Sequence, residues 1–303
     1  MIGRVKPQSA GIKQDVAPDI FISTSCLSGV SAGDSALLLA EAGAEAIEFS
    51  GGSFDSEWKQ KLAAVARRAT VSFHNYYPSP ESPFVLNLAS MNDEIFERSI
   101  QHSLQLLDLA EEFGASQISL HAGFAVDPNP EDLGGLFPPI SAESLECAAE
   151  KFKEAILLLD SESRNRDISL LIENNVLIQK NLGPKGVHPL LLVDLTEIRE
   201  FFMQEWQATS LLLDLGHLGV SYSSLGKDAL TDLPELLSYS TGLHLSDNDL
   251  LSDSGQAFTR SSWFWSELES FAGTFATVEV KLNSPSDYSG LERLVRSRFE
   301  LTT

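Results

Sequence analysis

Apolar residues in this chain fall into two alternating rhythms. Short runs rich in β-branched and aliphatic residues occupy 19–25 (DIFISTS), 46–49 (AIEF), 70–74 (TVSFH), 117–121 (QISLH), 168–173 (ISLLIE), 211–214 (LLLD), 242–245 (GLHL) and 275–280 (FATVEV). Their composition and length predict strands. Several are apolar almost throughout, as in strands buried on both faces. The intervening stretches follow a helical period: 34–42, 56–68, 92–113, 141–160, 194–206, 229–238, 261–271 and 287–299. Stop and start signals agree, with Gly43 and Gly114 at C-termini and Asp34 and Asp194 at N-termini. Three connections are long and polar or rich in Gly and Pro, at 122–140, 174–193 and 246–260. Loops of that length inside a compact domain predict function.

Eight strand–helix units in strict alternation predict a parallel sheet closed on itself, an α/β fold with one (β/α)8 barrel over residues 19–303. An open doubly wound sheet is the rival. It is disfavoured because no Gly-rich phosphate loop follows the first strand. Residues 1–18 are polar, contain Gly and Pro, and are expected to form a flexible tail. The 303 residues suit one barrel of this kind.

Charge narrows the partners. A formal net charge of −22 repels a phosphate backbone, and the cations are scattered, so a nucleic-acid partner is not expected. Cys26 and Cys147 are too few and too far apart for a disulfide framework or zinc finger, and both are expected to be small buried apolar residues. No apolar run reaches about 18 residues and no signal-peptide core is present. A cytoplasmic protein away from membranes is expected, with homo-oligomerisation open.

Candidate chemistry sits at the strand ends. In a (β/α)8 barrel the C-terminal ends of the strands surround one site. Here those ends carry Glu48, His74, His121, Glu173, Asp214, His244 and Glu279, with His217 three residues past Asp214. An acid inside ISLLIE or ATVEV would be buried and costly without a partner or cation. Glu48 could instead pair with a nearby Lys or Arg. Glu173, Asp214, His244 and Glu279 make a set of three oxygen donors and one nitrogen. That set suits Mn²⁺, Mg²⁺, Co²⁺ or Zn²⁺ and excludes iron–sulfur or copper–thiolate centres. His74 and His121 could add a second metal sharing Glu173. His102 and His188 fall on a helix and in a loop and are expected at the surface.

The motifs LLIEN, LLLDLGH, LHLSD and TVEVK, in this order across strands three to eight, resemble the xylose-isomerase-like TIM barrel superfamily of sugar epimerases, inosose-pathway enzymes and endonuclease IV. The resemblance implies metal ligation by Glu173, Asp214, His244 and Glu279, with Glu173 and Glu279 as acid and base. It implies substrate contact for His217. His74 and His121 match positions that hold a further metal in endonuclease IV. That enzyme also carries Asp-x-His after strand seven, whereas the loop here (DNDLLSDSG, 247–255) has no histidine. A complete trinuclear zinc site and a DNA-repair role are therefore not expected.

The expected activity is a divalent-metal-dependent sugar, or sugar phosphate, isomerase or epimerase. The metal would act as a Lewis acid, and two glutamates would move a proton through an enediolate. Asn75, Tyr76, Trp263 and Trp265 could line the pocket, though such aromatics more often serve packing. Lys281 could grip a hydroxyl or phosphate, or simply pair with Glu279. The rivals are a metal-dependent phosphodiester hydrolase related to endonuclease IV and a non-catalytic barrel that binds a metabolite.

Overall fold

A computed structural model describes residues 17–204 and 206–299. The expected tail at 1–18 lies outside them save for its last two residues. Eight parallel strands close a barrel in sequence order: β1 (Asp19–Ser23), β2 (Ala46–Phe49), β3 (Thr70–His74), β4 (Gln117–His121), β5 (Ser169–Glu173), β6 (Thr209–Asp214), β7 (Ser240–Leu245) and β8 (Phe275–Val278). The helices are α1 (Ala32–Glu41), α2 (Trp58–Ala66), α3 (Asp93–Phe113), α4 (Ala142–Asn165), α5 (Leu195–Phe202), α6 (Leu215–Leu225), α7 (Ala229–Tyr239) and α8 (Tyr288–Phe299). Local chemistry sets their ends. Asn92 caps α3 through the amides of Glu94 and Ile95, and Gly114, at φ 70°, closes it.

The two faces of the strands explain the near-continuous apolar runs. Side chains alternate along a strand. Ile22, Ile47, Phe73, Leu120, Ile172, Leu213 and Leu245 belong to the large core shared with the helices. Their neighbours point inward. Phe21, Leu171, Leu212 and Phe275 form a separate apolar cluster that plugs the barrel. The Phe275 ring occupies the space a Cβ on Gly242 would fill, so β7 contributes a glycine at that level. Two residues further along, the inward positions become Ser23, Glu48, His74, His121, Glu173, Asp214 and His244. Register sets Asp214 beside His244 and His121 beside Glu173.

Several expectations fail. Residues 261–271 do not form an α-helix. They make turns and a short 3₁₀ segment, Glu267–Ser270. The adjacent aromatics Phe264 and Trp265 are both buried, which a helical face does not favour. In exchange, α6 begins directly at Asp214, where Gly216 and Gly219 mask a helix in the sequence. Those glycines admit the loop after β7: a Cβ on Gly216 would collide with Ser246, and one on Gly219 would press on Leu250 and Trp263. β1 ends at Ser23, and a 3₁₀ turn, Thr24–Cys26, follows. His102 and His188 are buried, not at the surface. His102 packs with Tyr76 and Phe84, and His188 is held by the Leu190 carbonyl and lies near Glu197. Cys26 is buried as expected, but Cys147 is exposed on α4. Among the described residues, no helix is long and apolar enough to cross a membrane.

Candidate active site at the mouth of the barrel

The strand-end acids and histidines converge. Glu173, on β5, is fully buried at the centre, and its two oxygens face different ways. Oε2 lies 3.4 Å from His74 Nε2 and 3.5 Å from His121 Nδ1. Oε1 lies 3.3 Å from His217 Nδ1 and 3.5 Å from His244 Nδ1. Among the described residues, neither oxygen has a hydrogen-bond donor, and His244 Nδ1 has no hydrogen-bond partner either. Buried atoms of this kind are costly unless something binds them.

Donors gather around that nitrogen. Glu279 Oε2 is 2.6 Å from His244 Nδ1, and Asp214 Oδ2 is 3.8 Å away. One donor atom from each of Glu173, Asp214, His244 and Glu279 lies within 4.8 Å of the rest, as required to share one ion. His74, His121 and Glu173 meet the same criterion, and so do Glu48, His74 and His244. Orphaned buried oxygens, an orphaned imidazole nitrogen and three carboxylates in one pocket fit a divalent cation.

Each donor is aimed by a neighbour. Asp214 caps α6, its Oδ1 accepting the His217 amide at 2.6 Å. Asn174 brackets the Asp214 backbone, its Oδ1 accepting the Asp214 amide (2.7 Å) and its Nδ2 donating to the carbonyl (3.1 Å). Ser25 donates to Glu279 Oε1 at 2.8 Å, and Ser23 reaches the same oxygen at 3.4 Å. Ser119 Oγ lies 2.9 Å from His74 Nδ1, leaving Nε2 towards Glu173. His217 Nδ1 meets the Asn174 carbonyl at 2.9 Å, and its Nε2 faces Asp253 Oδ2 at 3.4 Å.

Burial and charge compete at every group. Burial pushes the Glu173 carboxyl up, but His121, His244 and His74 outweigh it and hold it well below the usual carboxylate range. Burial raises Asp214, with the Glu173 charge adding to the rise against His217. Burial also opposes ionisation of Glu279, yet His244 brings it down to about 2. His217 and His244 are raised, because the acids around them overcome their burial. His121 goes the other way: burial lowers it to about 4 despite Glu173.

The remaining expected residues are placed less centrally. Glu48 faces His244 instead of a Lys or Arg. Asn75, at φ 47°, supports β4 by accepting from the His121 amide at 3.5 Å and donating its own amide to Ser119. Tyr76 accepts from the Phe84 amide and packs on His102. Trp263 packs edge-on to Phe264 beside Gly219. Trp265 is buried. Lys281 is exposed, and its backbone amide ties the segment after β8 to the Gly255 carbonyl. Sequence patterning missed Ser25, Asn174, Ser119 and Asp253. Only Asn174 carried a signal, as the neighbour of Glu173 in LLIEN.

Long loops wall the site. Those after β4 and β5 are joined by a Phe124–Leu190 bridge and a small apolar cluster of Phe137, Leu177, Leu190 and Val193. Asn175 locks them together through the carbonyls of Ala122, Gly123 and Leu191. The loop after β7 is pinched at its base by the Asp247–Gln256 pair, and Asp253 projects from it onto His217.

Comparison with known proteins agrees with this architecture. Among curated proteins, none matches the chain in sequence. Solved structures do. A D-tagatose 3-epimerase-like protein superposes with a TM-score of 0.70 at 14% identity, covering 93% of this chain and 97% of its own. The 3-keto-D-glucoside 4-epimerase YcjR from E. coli gives 0.64 at 12% identity, covering 92% and 99%. An AP endonuclease of family 2 from Brucella melitensis gives 0.58 at 15% identity, covering 89% and 96%. At these identities the likeness is one of fold. A family match over residues 36–262 goes further: the chain belongs to the xylose isomerase-like TIM barrel family.

Proposed function

We propose that this protein is a divalent-metal-dependent sugar isomerase or epimerase that shifts a proton at the carbon beside a carbonyl. One observation carries the reading: two glutamates, the buried Glu173 and the half-buried Glu279, flank His244 Nδ1 within one four-donor cluster. Glu173, Asp214, His244 and Glu279 would hold the cation, whose contribution when bound is to polarise a substrate carbonyl. The protein's own groups do the rest. One glutamate removes the proton, and the same or the other returns it to a different face or atom. Ser25 and Ser23 fix the rotamer of Glu279, so its Oε2 stays aimed at the cluster. His217, braced by the Asn174 carbonyl at Nδ1 and faced by Asp253 at Nε2, would orient a substrate oxygen at the edge of the cluster. The joined loops after β4 and β5 exclude water from a proton in transit. Solved epimerases of D-tagatose- and D-psicose-type sugars share the fold and support the substrate class. Among the described residues, the acids of the cluster pair with histidines and not with lysine or arginine, which favours an unphosphorylated sugar.

The test is solvent exchange. Incubated in D₂O with Mn²⁺ and a panel of 2-ketohexoses including D-tagatose and D-fructose, the wild type is expected to wash deuterium into the position beside the carbonyl. Glu173→Gln and Glu279→Gln are expected to lose at least about 100-fold of that rate, as for an acid–base group, while keeping the wild-type circular dichroism. Undiminished exchange in both variants would remove the glutamate assignment.

A second reading rests on the His74–His121–Glu173 group, which could hold another cation bridged by Glu173, as in two-metal phosphodiester hydrolysis. Two or three zinc ions per chain together with cleavage of abasic DNA would favour it. A single ion and sugar turnover favour the epimerase.

A further inference from the structure

The proposed chemistry leaves Glu48 without a task, yet it is 1% exposed at the inner end of β2. Among the described residues no Lys or Arg pairs with it, and a buried carboxylate so placed needs another partner. That partner is His244 of β7, three strands round the closed barrel from β2. Glu48 Oε1 lies 3.1 Å and Oε2 3.3 Å from His244 Nε2, and Thr277 donates to Oε2 at 3.4 Å. The other ring nitrogen, Nδ1, faces Glu279, Glu173 and Asp214. The imidazole is thus held from both ends, and the two ends do different things.

A neutral imidazole has one N–H and one lone pair. An ionised carboxylate only accepts, so an acid at Nε2 requires the proton there. Nδ1, 2.6 Å from Glu279 Oε2, is then the nitrogen whose proton a cation would replace, which leaves its lone pair inside the four-donor cluster. The geometry points to Glu48 as a positioning residue that fixes the His244 tautomer with its donor atom towards the cation. This rests on the reading that Glu173, Asp214, His244 and Glu279 hold a divalent ion. It also makes Glu48 incompatible with a separate ion at Glu48, His74 and His244 that uses Nε2, because that nitrogen keeps its proton.

Zn²⁺ binding and the ring protons test this directly, without any sugar. Wild type, Glu48→Gln and Glu48→Leu are titrated with Zn²⁺ against a competing chelator. Long-range ¹H–¹⁵N spectra are recorded on the Zn²⁺-loaded wild type and on each loaded variant. The expected wild-type spectrum shows His244 metallated at Nδ1, with a slowly exchanging proton on Nε2. Glu48→Leu is expected to bind Zn²⁺ about 10–100-fold more weakly and to lose that protected proton. Glu48→Gln, which retains an acceptor oxygen, is expected to recover most of the affinity. Unchanged affinity in Glu48→Leu overturns the inference and leaves the cation site standing. So does a wild-type ring metallated at Nε2, an outcome readable even if Glu48→Leu fails to fold. A drop in zinc count with undiminished affinity at the remaining site makes Glu48 a ligand and overturns it too. A wild type that takes up no Zn²⁺ removes the cation reading itself, and the inference with it.

Discussion

Two rings of side chains inside the barrel stand one inward position apart and have opposite characters. The lower ring, Phe21, Leu171, Leu212 and Phe275, is apolar and closed. The upper ring includes Glu173, Asp214 and His244, two residues further along the same strands or their neighbours. Backbone pairing continues through both rings, so the strand scaffold is the same. What changes is which term of the free energy each ring supplies. The lower ring contributes burial, about 25 cal/mol per Å² of apolar surface removed from water. The upper ring gathers desolvated charge, a cost to the fold that the proposed cation would offset.

Exchanging the two characters gives the largest effect. Leu212→Asp places an unpaired acid in the apolar ring and is expected to destabilise by more than about 4 kcal/mol. It should leave little folded protein, judged by urea denaturation. Asp214→Asn, two residues on, keeps the helix cap and is expected to change the stability of the metal-free protein by less than about 1 kcal/mol while weakening Zn²⁺ binding. Comparable unfolding by both substitutions would erase the distinction.

A histidine outside both rings sharpens it. His102 is buried among Tyr76 and Phe84, and burial, with Arg98 adding to it, lowers the ring to about 4. The folded state therefore binds fewer protons than the unfolded state between about pH 6.5 and 4, and stability falls as pH falls through that window. The loss is expected to reach about 3 kcal/mol at most. His102→Phe should flatten this part of the stability–pH curve. An unaltered curve would show that the burial is not felt.

Metal loading should act on the upper ring alone. At one hundred times its Kd, a divalent cation is expected to stabilise the fold by about 2.7 kcal/mol, a rise in Tm of roughly 4 °C for a chain of this length, reversed by a chelator. In Glu173→Gln the rise should shrink. The smallest effect belongs to the outer surface. The exposed Lys59–Glu112 pair is expected to contribute under about 1 kcal/mol, so Lys59→Ala should leave the melting curve nearly unmoved.

How much of the molecule is legible in the sequence follows from range. Strand and helix rhythms are local, and so is the placement of an acid or histidine at a strand end. The set from Glu48 to Glu279 can therefore be read from the strand ends alone. Their pairings cannot, because Glu48 meets His244 only after the barrel closes. Helix α6 is hidden because Gly216 and Gly219, poor helix formers, are set there by the approach of the loop after β7. The stretch at 261–271 misleads because apolar content is not apolar period. His102 and His188 resemble surface residues because their burial depends on loops packing over them, which periodicity does not encode.

The helix cap at Asp214 has a consequence for ion choice. With Oδ1 given to the His217 amide, only Oδ2 remains for a cation. Glu279 is likewise divided, its Oε1 taken by Ser25 and its Oε2 turned to the cluster beside His244 Nδ1. Two of the three carboxylates would thus bind through one oxygen each. Calcium wants six to eight oxygens and often takes carboxylates by both. A small ion content with four protein donors and two from a chelating substrate would be satisfied where calcium is left short. The hydrogen bonds that start a helix and brace a glutamate would then also set the denticity of the site, and with it a filter on cation size.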